Sequence, residues 1–151
     1  MRVREKQVFD FPAERVWELI SDFGNMSWLP GVKAEVEGSG PGMLRYLVVP
    51  GAPKVPERLD TLDPARRSLS YTLLDHLPFP ATDYHAEMNV TEVDDAHCEL
   101  EWIIHAQPDG VPEAELRAPM QGLLRVFFDS IRSYMVEAER FLTYLASVSQ
   151  R

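Results

Sequence analysis

The spacing of apolar and polar positions changes along the chain, and each change marks a different element. Residues 2–10 alternate, with Val3, Glu5, Gln7 and Phe9 on one face and Arg2, Arg4, Lys6 and Val8 on the other, which predicts an edge-like strand. Val16, Leu19, Ile20 and Phe23 then recur at helical spacing. Pro12 suits the first turn of that helix, Asp10 is able to cap it, and Gly24-Asn25 ends it. A second short helical segment, Met26 to Leu29, stops at Pro30-Gly31.

About seventy residues of strand and turn follow. Val32 to Glu37 and Met43 to Val49 flank the Gly-rich turn 38–42, a hairpin pattern. Pro50-Gly51-Ala52-Pro53-Lys54 leads into Val55 to Leu62, and Asp63-Pro64-Ala65-Arg66 has the chemistry of a turn. Leu69, Tyr71 and Leu73 alternate on the next strand. The last hairpin sets Tyr84, Ala86, Met88 and Val90 on one face of one strand and Cys98, Leu100, Trp102 and Ile104 on one face of its partner. Both sets are even-numbered, so facing residues must sum to an even number if both reach one core. A plain two-residue loop at Asp95-Ala96 breaks that match, which predicts either a three-residue loop, Asp94-Asp95-Ala96, or a bulge.

After Pro108-Asp109-Gly110 the period becomes 3.6. Leu116, Met120, Leu123, Leu124, Phe127, Ile131, Met135, Ala138, Phe141, Leu142 and Leu145 predict one long amphipathic helix, with Arg125, Asp129, Arg132, Glu137 and Arg140 mostly on its wet side. Pro119 predicts that this helix either begins there after a short turn or is kinked there. The sum is an α+β chain: a seven-stranded antiparallel sheet wrapped around a long C-terminal helix, with two short helices after the first strand. No internal repeat or long linker divides residues 1–151, so one domain is expected.

Composition narrows the function. A net charge of -9 disfavours nucleic acid, which is held by clustered Lys and Arg, and anionic lipid surfaces as well. The single cysteine, Cys98, excludes an internal disulfide and a Cys-rich zinc site and reads as a buried thiol. The first residues, MRVREKQVF, lack the apolar core of a secretory signal, and no apolar run approaches a membrane span, so a cytoplasmic protein is expected.

The order of elements resembles the START-like, helix-grip superfamily (SRPBCC), in particular its bacterial polyketide cyclase/dehydrase-like branch. The stretches that carry the resemblance are 16–23 (VWELISDF), 28–32 (WLPGV), 40–45 (GPGMLR), 57–63 (ERLDTLD) and 68–71 (SLSY). Residues 45–84 are also similar to the plant abscisic-acid receptors, which have a gate loop and a latch loop at the pocket mouth. Here Pro50-Gly51-Ala52-Pro53 lacks the gate Leu, and His76-Leu77-Pro78-Phe79-Pro80 lacks the latch Arg. The resemblance therefore implies two mobile loops at a mouth and a cavity for an apolar molecule, without naming that molecule.

Strand parity supplies the residues expected to line such a cavity. They are Arg45, Leu47 and Val49; Glu57 and Leu59; Tyr71 and Leu73; Tyr84, Ala86 and Met88; and Trp102, closed by Phe127 and Ile131 from the long helix. Arg45 and Glu57 come opposite each other if the 50–54 connection makes a hairpin, which would pair two inward charges. Tyr71 and Tyr84 offer hydroxyls beside apolar rings, while Trp28 and Trp102 suit core packing or ligand stacking. His76 is placed to meet a ligand at the mouth. His85 and His105 can face each other beside Glu87, but on the hydrophilic face, so no metal site is expected, and no cofactor. No nucleophile elbow or phosphate loop is present, and catalytic residues stay unassigned.

Three readings follow. The first is binding or carriage of a small hydrophobic molecule such as a lipid, polyketide, quinone or aromatic metabolite. The second is a cyclase/dehydratase-type enzyme using Arg45, Glu57, Tyr71 and Tyr84. The third is a ligand-gated docking module, with a homodimer or a protein partner meeting the loop mouth.

Overall fold

The alternation along the chain becomes hydrogen-bonded pairing in a single antiparallel sheet. A computed structural model describes residues 1–75 and 77–150. Its strands are β1 (Arg2–Phe9), β2 (Lys33–Glu37), β3 (Leu44–Val48), β4 (Val55–Asp63), β5 (Ser68–Leu73), β6 (Ala81–Asp94) and β7 (His97–Pro108). They are ordered β1-β7-β6-β5-β4-β3-β2, so β1 and β2 form the two edges. A short helix, α1 (Ala13–Ser21), follows β1, and a 37-residue helix, α2 (Glu113–Ser149), closes the chain. The helix-grip expectation holds in class and strand number.

The last hairpin solves its parity problem with a bulge. Glu92 faces Cys98 while Asp94 faces His97, so Val93 is the extra residue and points to solvent. The connection itself is two residues long, and Asp94 Oδ1 closes it by accepting the Ala96 amide at 2.8 Å. Beyond the bulge, Met88 pairs with Trp102 and Ala86 with Ile104. The whole even-numbered set of both strands is buried.

The expected second short helix is absent. Between Asn25 and Pro30 there is room only for turns: the Leu29 amide donates to Met26 O and the Val32 amide to Leu29 O. Asn25 Oδ1 accepts both the amide and the hydroxyl of Ser27, a local arrangement that competes with helix. Asp10 does not cap α1 either; Pro12 is the cap residue and no side chain bonds the helix start. Gly24 passes so close to β2 that an added Cβ would lie 2.7 Å from a Val36 methyl carbon.

Helix α2 begins at Glu113 and carries Pro119 inside it, so of the two alternatives the start near Pro119 is not the one realised. Proline there deletes one hydrogen bond to the carbonyl four residues back. Pro119 and Glu115 are both exposed, so water can satisfy that carbonyl. Leu116, Met120, Leu124, Phe128, Ile131 and Met135 face the sheet. Edge strand β1 is held from the side by three arginines of α2. Arg117 Nη1 donates to Arg2 O (2.9 Å), Arg125 Nη2 meets Glu5 Oε1 (3.0 Å), and Arg132 Nη2 donates to Gln7 Oε1 (2.8 Å) and Val8 O (3.3 Å). The apolar stripe does not stay covered to its end, however: Phe141, Leu142 and Leu145 are exposed, because α2 outruns the sheet.

Candidate ligand site

Strands β3 and β4 pair with Arg45 directly opposite Glu57, as strand parity predicts. Both are buried, and they meet on the face turned toward α2. Arg45 Nε donates to Glu57 Oε1 at 2.7 Å, and Arg45 Nη1 donates to the Phe23 carbonyl at 2.9 Å; neither bond uses Nη2. The guanidinium also lies 3.7 Å from the centre of the Phe23 ring and 5.1 Å from that of Tyr71. A charge removed from water needs such partners, since its desolvation is opposed only by ion pairing, hydrogen bonds and ring quadrupoles.

Tyr71 and Tyr84 stand beside this pair on the neighbouring strands. Trp102 Nε1 donates to the Tyr71 hydroxyl at 3.2 Å, which orients the phenol and leaves its proton to point elsewhere. Burial holds both phenols well above the usual tyrosine range, and the Glu57 carboxylate adds to this while Arg45 opposes it. Both hydroxyls are therefore neutral donors at any physiological pH.

The space between sheet and helix is largely filled. Trp102 stacks on Phe127 (5.2 Å between ring centres), and Trp28 packs edge-on against Phe127 (5.8 Å) and Trp102 (6.3 Å). A cavity of about 10 Å³ remains, bordered by Arg45, Met88 and Trp102 together with Ile20, Phe23, Trp28 and Leu69. That is roughly the room needed for one water. The expected inner pocket is thus a packed chamber, with aromatic rings where a ligand was anticipated. Leu59, Tyr71, Tyr84, Ala86 and Ile131 are buried in its walls, and Leu73 and Phe127 are half-buried.

The roomy concavity lies at the mouth. Leu47 and Val55 face each other one step outward from Arg45 and Glu57. They join Val32, Tyr46, Val49, Ala52, Pro53, Lys54, Pro56, Asp75, Leu77 and Pro78 around an apolar groove of about 620 Å³. Both proline-bearing loops border it, the first through Ala52 and Pro53 and the second through Leu77 and Pro78. Phe79 of the second loop packs on Tyr84 with ring centres 5.4 Å apart, linking the mouth to the buried wall. Of the expected lining residues, Leu47 and Val49 border the groove, and Val49 is exposed because it lies past the end of β3. His76 lies outside the described residues.

Phe23 was not among the lining residues expected from the sequence, and Trp28, weighed there as core packing or ligand stacking, packs against Phe127 and Trp102. Phe23 gives Arg45 both its carbonyl and the face of its ring, and strand parity carries no signal for a residue that follows a helix. The remaining candidates sit apart. His85 and His105 stack 4.5 Å apart on the opposite face of the sheet, with His105 Nε2 3.1 Å from Glu87 Oε2. Among the described residues, no group of three or more His, Cys, Asp or Glu side chains is placed to hold a metal ion. Cys98 is buried, and burial raises its thiol to about 11, which keeps it protonated and unreactive.

Residues 1–136 match the family described as polyketide cyclase / dehydrase and lipid transport. No curated protein matches the chain. Among solved structures, an uncharacterised protein from Bacillus thuringiensis superposes with a TM-score of 0.81 at 22% identity, covering 90% of this chain and 99% of the other. A protein from Thermobifida fusca gives 0.74 at 29% identity, over 87% and 90% of the two chains. Norcoclaurine synthase from Thalictrum flavum, solved with dopamine and hydroxybenzaldehyde, gives 0.72 at 20% identity, over 91% and 87%. At these identities the likeness is one of fold.

Proposed function

We propose, from the premise that this chain belongs to the polyketide cyclase / dehydrase and lipid transport family, that it binds and carries a small hydrophobic molecule. The observation that carries this reading is the apolar groove of about 620 Å³ between the two proline-bearing loops, whose Leu47–Val55 wall is the next same-face strand pair out from a buried ion pair. Its size falls in the range of small-molecule sites. The ligand's apolar body lies along Leu47, Val49, Val55 and Leu77. Its polar end turns inward, where Arg45 Nη2 and the neutral Tyr84 hydroxyl can donate to an oxygen. A longer ligand reaches the chamber by displacing Phe127, the half-buried ring that stacks on Trp102. Residues 1–151 act as one domain in this reading, in the cytoplasm.

The test is a titration with N-phenyl-1-naphthylamine, a neutral apolar fluorophore. Saturable enhancement is expected in the native protein, with loss of binding in Leu77→Asp. Absence of saturable binding in the native protein rejects the carrier reading.

A second reading, a cyclase/dehydratase-type enzyme, is favoured by one geometric fact. The Tyr71 hydroxyl, oriented by Trp102, stands near the Glu57 carboxylate and the Arg45 guanidinium, a donor, a base and a cation in one place. That set suits proton transfer next to a carbonyl, with Glu57 taking the proton and Tyr71 and Arg45 holding the oxygen. Turnover of an apolar carbonyl compound that vanishes in Tyr71→Phe would favour it over simple carriage.

A further inference from the structure

The last turns of α2 leave the body of the molecule. At about 1.5 Å per residue its 37 residues span roughly 55 Å, whereas the eight residues of β1 beneath it span about 27 Å. Every residue from Glu139 to Gln150 is exposed. Among them are Phe141 (60%), Leu142 (60%), Tyr144 (62%), Leu145 (45%) and Val148 (42%). This projection also lies beyond residues 1–136, the part that matches the family. About three helical turns held to the body by little more than the Glu139–Arg15 ion pair (3.9 Å) and the cleft that Leu142 shares with α1 are marginal in water, and so many large apolar side chains on one short stretch mark an interface.

Two features of the stretch identify what covers it. Tyr134, Ala138, Phe141, Leu145 and Val148 follow one another at steps of four and three, the seam of paired helices, with Leu142 and Tyr144 widening it on either side. Residues 141–150 also contain no charged side chain, although the chain as a whole carries -9. A second copy of so acidic a protein is repelled wherever charged surfaces meet, and it can approach closely only along an uncharged strip. We infer that the projecting end of α2 pairs antiparallel with the same segment of a second copy.

Charge also sets the direction. A parallel pair would bring Glu137 and Glu139 against their own copies. An antiparallel pair with Phe141 opposite Leu145 and Ala138 opposite Val148 sets those glutamates opposite Ser149 and Ser147 instead. The contact is then isologous, each copy giving and receiving the same residues around a twofold axis. It is also distant from the loop mouth, so both ligand grooves stay open in the pair.

Sedimentation velocity on the full chain tests this. At about 100 µM, above the micromolar dissociation expected of so small an interface, the native protein should run as two copies. The double variant Phe141→Glu with Leu145→Glu should run as one copy. Its melting temperature, extrapolated to low concentration, should match the native value, because both side chains are exposed in the single chain. A milder variant, Val148→Lys, should raise the dissociation constant about tenfold and serves if the double variant misfolds. A native protein that is monomeric at that concentration overturns the inference. So does a dimer that persists in either variant without weakening. A native monomer that binds phosphatidylcholine vesicles through Phe141 and Leu145 would assign the strip to a membrane surface and equally overturn it.

Discussion

Along β3 and the residue that follows it, one face carries two residues whose placement reverses the usual rule for charge and oil. Arg45 is 7% exposed, and Val49, two steps toward the loop on the same side, is 42% exposed. The inner region is a chamber in which an ion pair, two phenols and stacked aromatic rings satisfy one another and leave about 10 Å³ unfilled. The outer region is an apolar groove of about 620 Å³ whose walls are the two loops together with the adjoining ends of β3 and β4. The difference separates two jobs. Under the proposed function, residues of the chamber hold the fold and meet the polar end of a ligand, whereas the less buried residues of the mouth contribute less to stability and meet its apolar body.

The comparison breaks most visibly at the ion pair. Arg45→Met leaves the Glu57 carboxylate buried without its cation and should lower unfolding stability by about 3–5 kcal/mol in urea denaturation. The double variant Arg45→Met with Glu57→Leu should recover much of that loss, since no lone charge remains. Equal stability of the single variant and the native protein would mean that the chamber is wet. Glu57→Gln is not a clean probe of binding, because it weakens the partner of a buried guanidinium and will affect stability as well.

At the mouth the expected effects invert. Leu77→Asp should weaken binding of a neutral apolar fluorophore at least about tenfold, while stability falls by only about 1 kcal/mol, because Leu77 is half-buried at the edge of the core. A large loss of stability with unchanged binding would move Leu77 from the groove to the core. Tyr84→Phe lies between the two regions. Losing one hydroxyl donor should reduce affinity for an oxygen-bearing apolar ligand about threefold to tenfold, with the melting temperature nearly unchanged.

How much of this was legible in the sequence follows from which residues report on periodicity. Strand alternation placed Tyr84, Ala86, Met88 and Trp102 on the buried face, set Arg45 opposite Glu57, and called for either a three-residue loop at 94–96 or a bulge, of which the structure has the bulge. It could not tell that the chamber is filled, because Trp28 and Phe127 have the same pattern whether they line a cavity or occupy it. The turns at 26–30 passed for a helix because four or five residues carry too little period to exclude one. The exposed end of α2 was invisible for the opposite reason: its apolar spacing continues unbroken, and only the length of the sheet decides where burial stops.

The smallest effect belongs to a site remote from both regions. Asp94 and His97 bind each other across the last turn at 2.7 Å, which holds the Asp94 carboxyl below its usual range and the His97 imidazole above its own. Stability from the lowered carboxyl is present above its unfolded value and is lost as pH falls through the folded one. Stability from the raised imidazole is full below its unfolded value and is lost as pH rises through the folded one. The pair should therefore help most between about pH 4 and pH 6.5. The melting temperature of Asp94→Asn should fall below the native value mainly in that window. A gap that is constant from pH 5 to pH 9 would show that the pair is irrelevant, and neither outcome should affect ligand binding.

The most direct test of the mouth as a ligand site is native mass spectrometry of the protein recovered from its own cell extract. The account predicts a co-purifying apolar small molecule of a single mass class, retained by the native protein and absent from Leu77→Asp prepared in parallel. A native protein that emerges at its bare mass from every extract, or a ligand that survives Leu77→Asp undiminished, would contradict it.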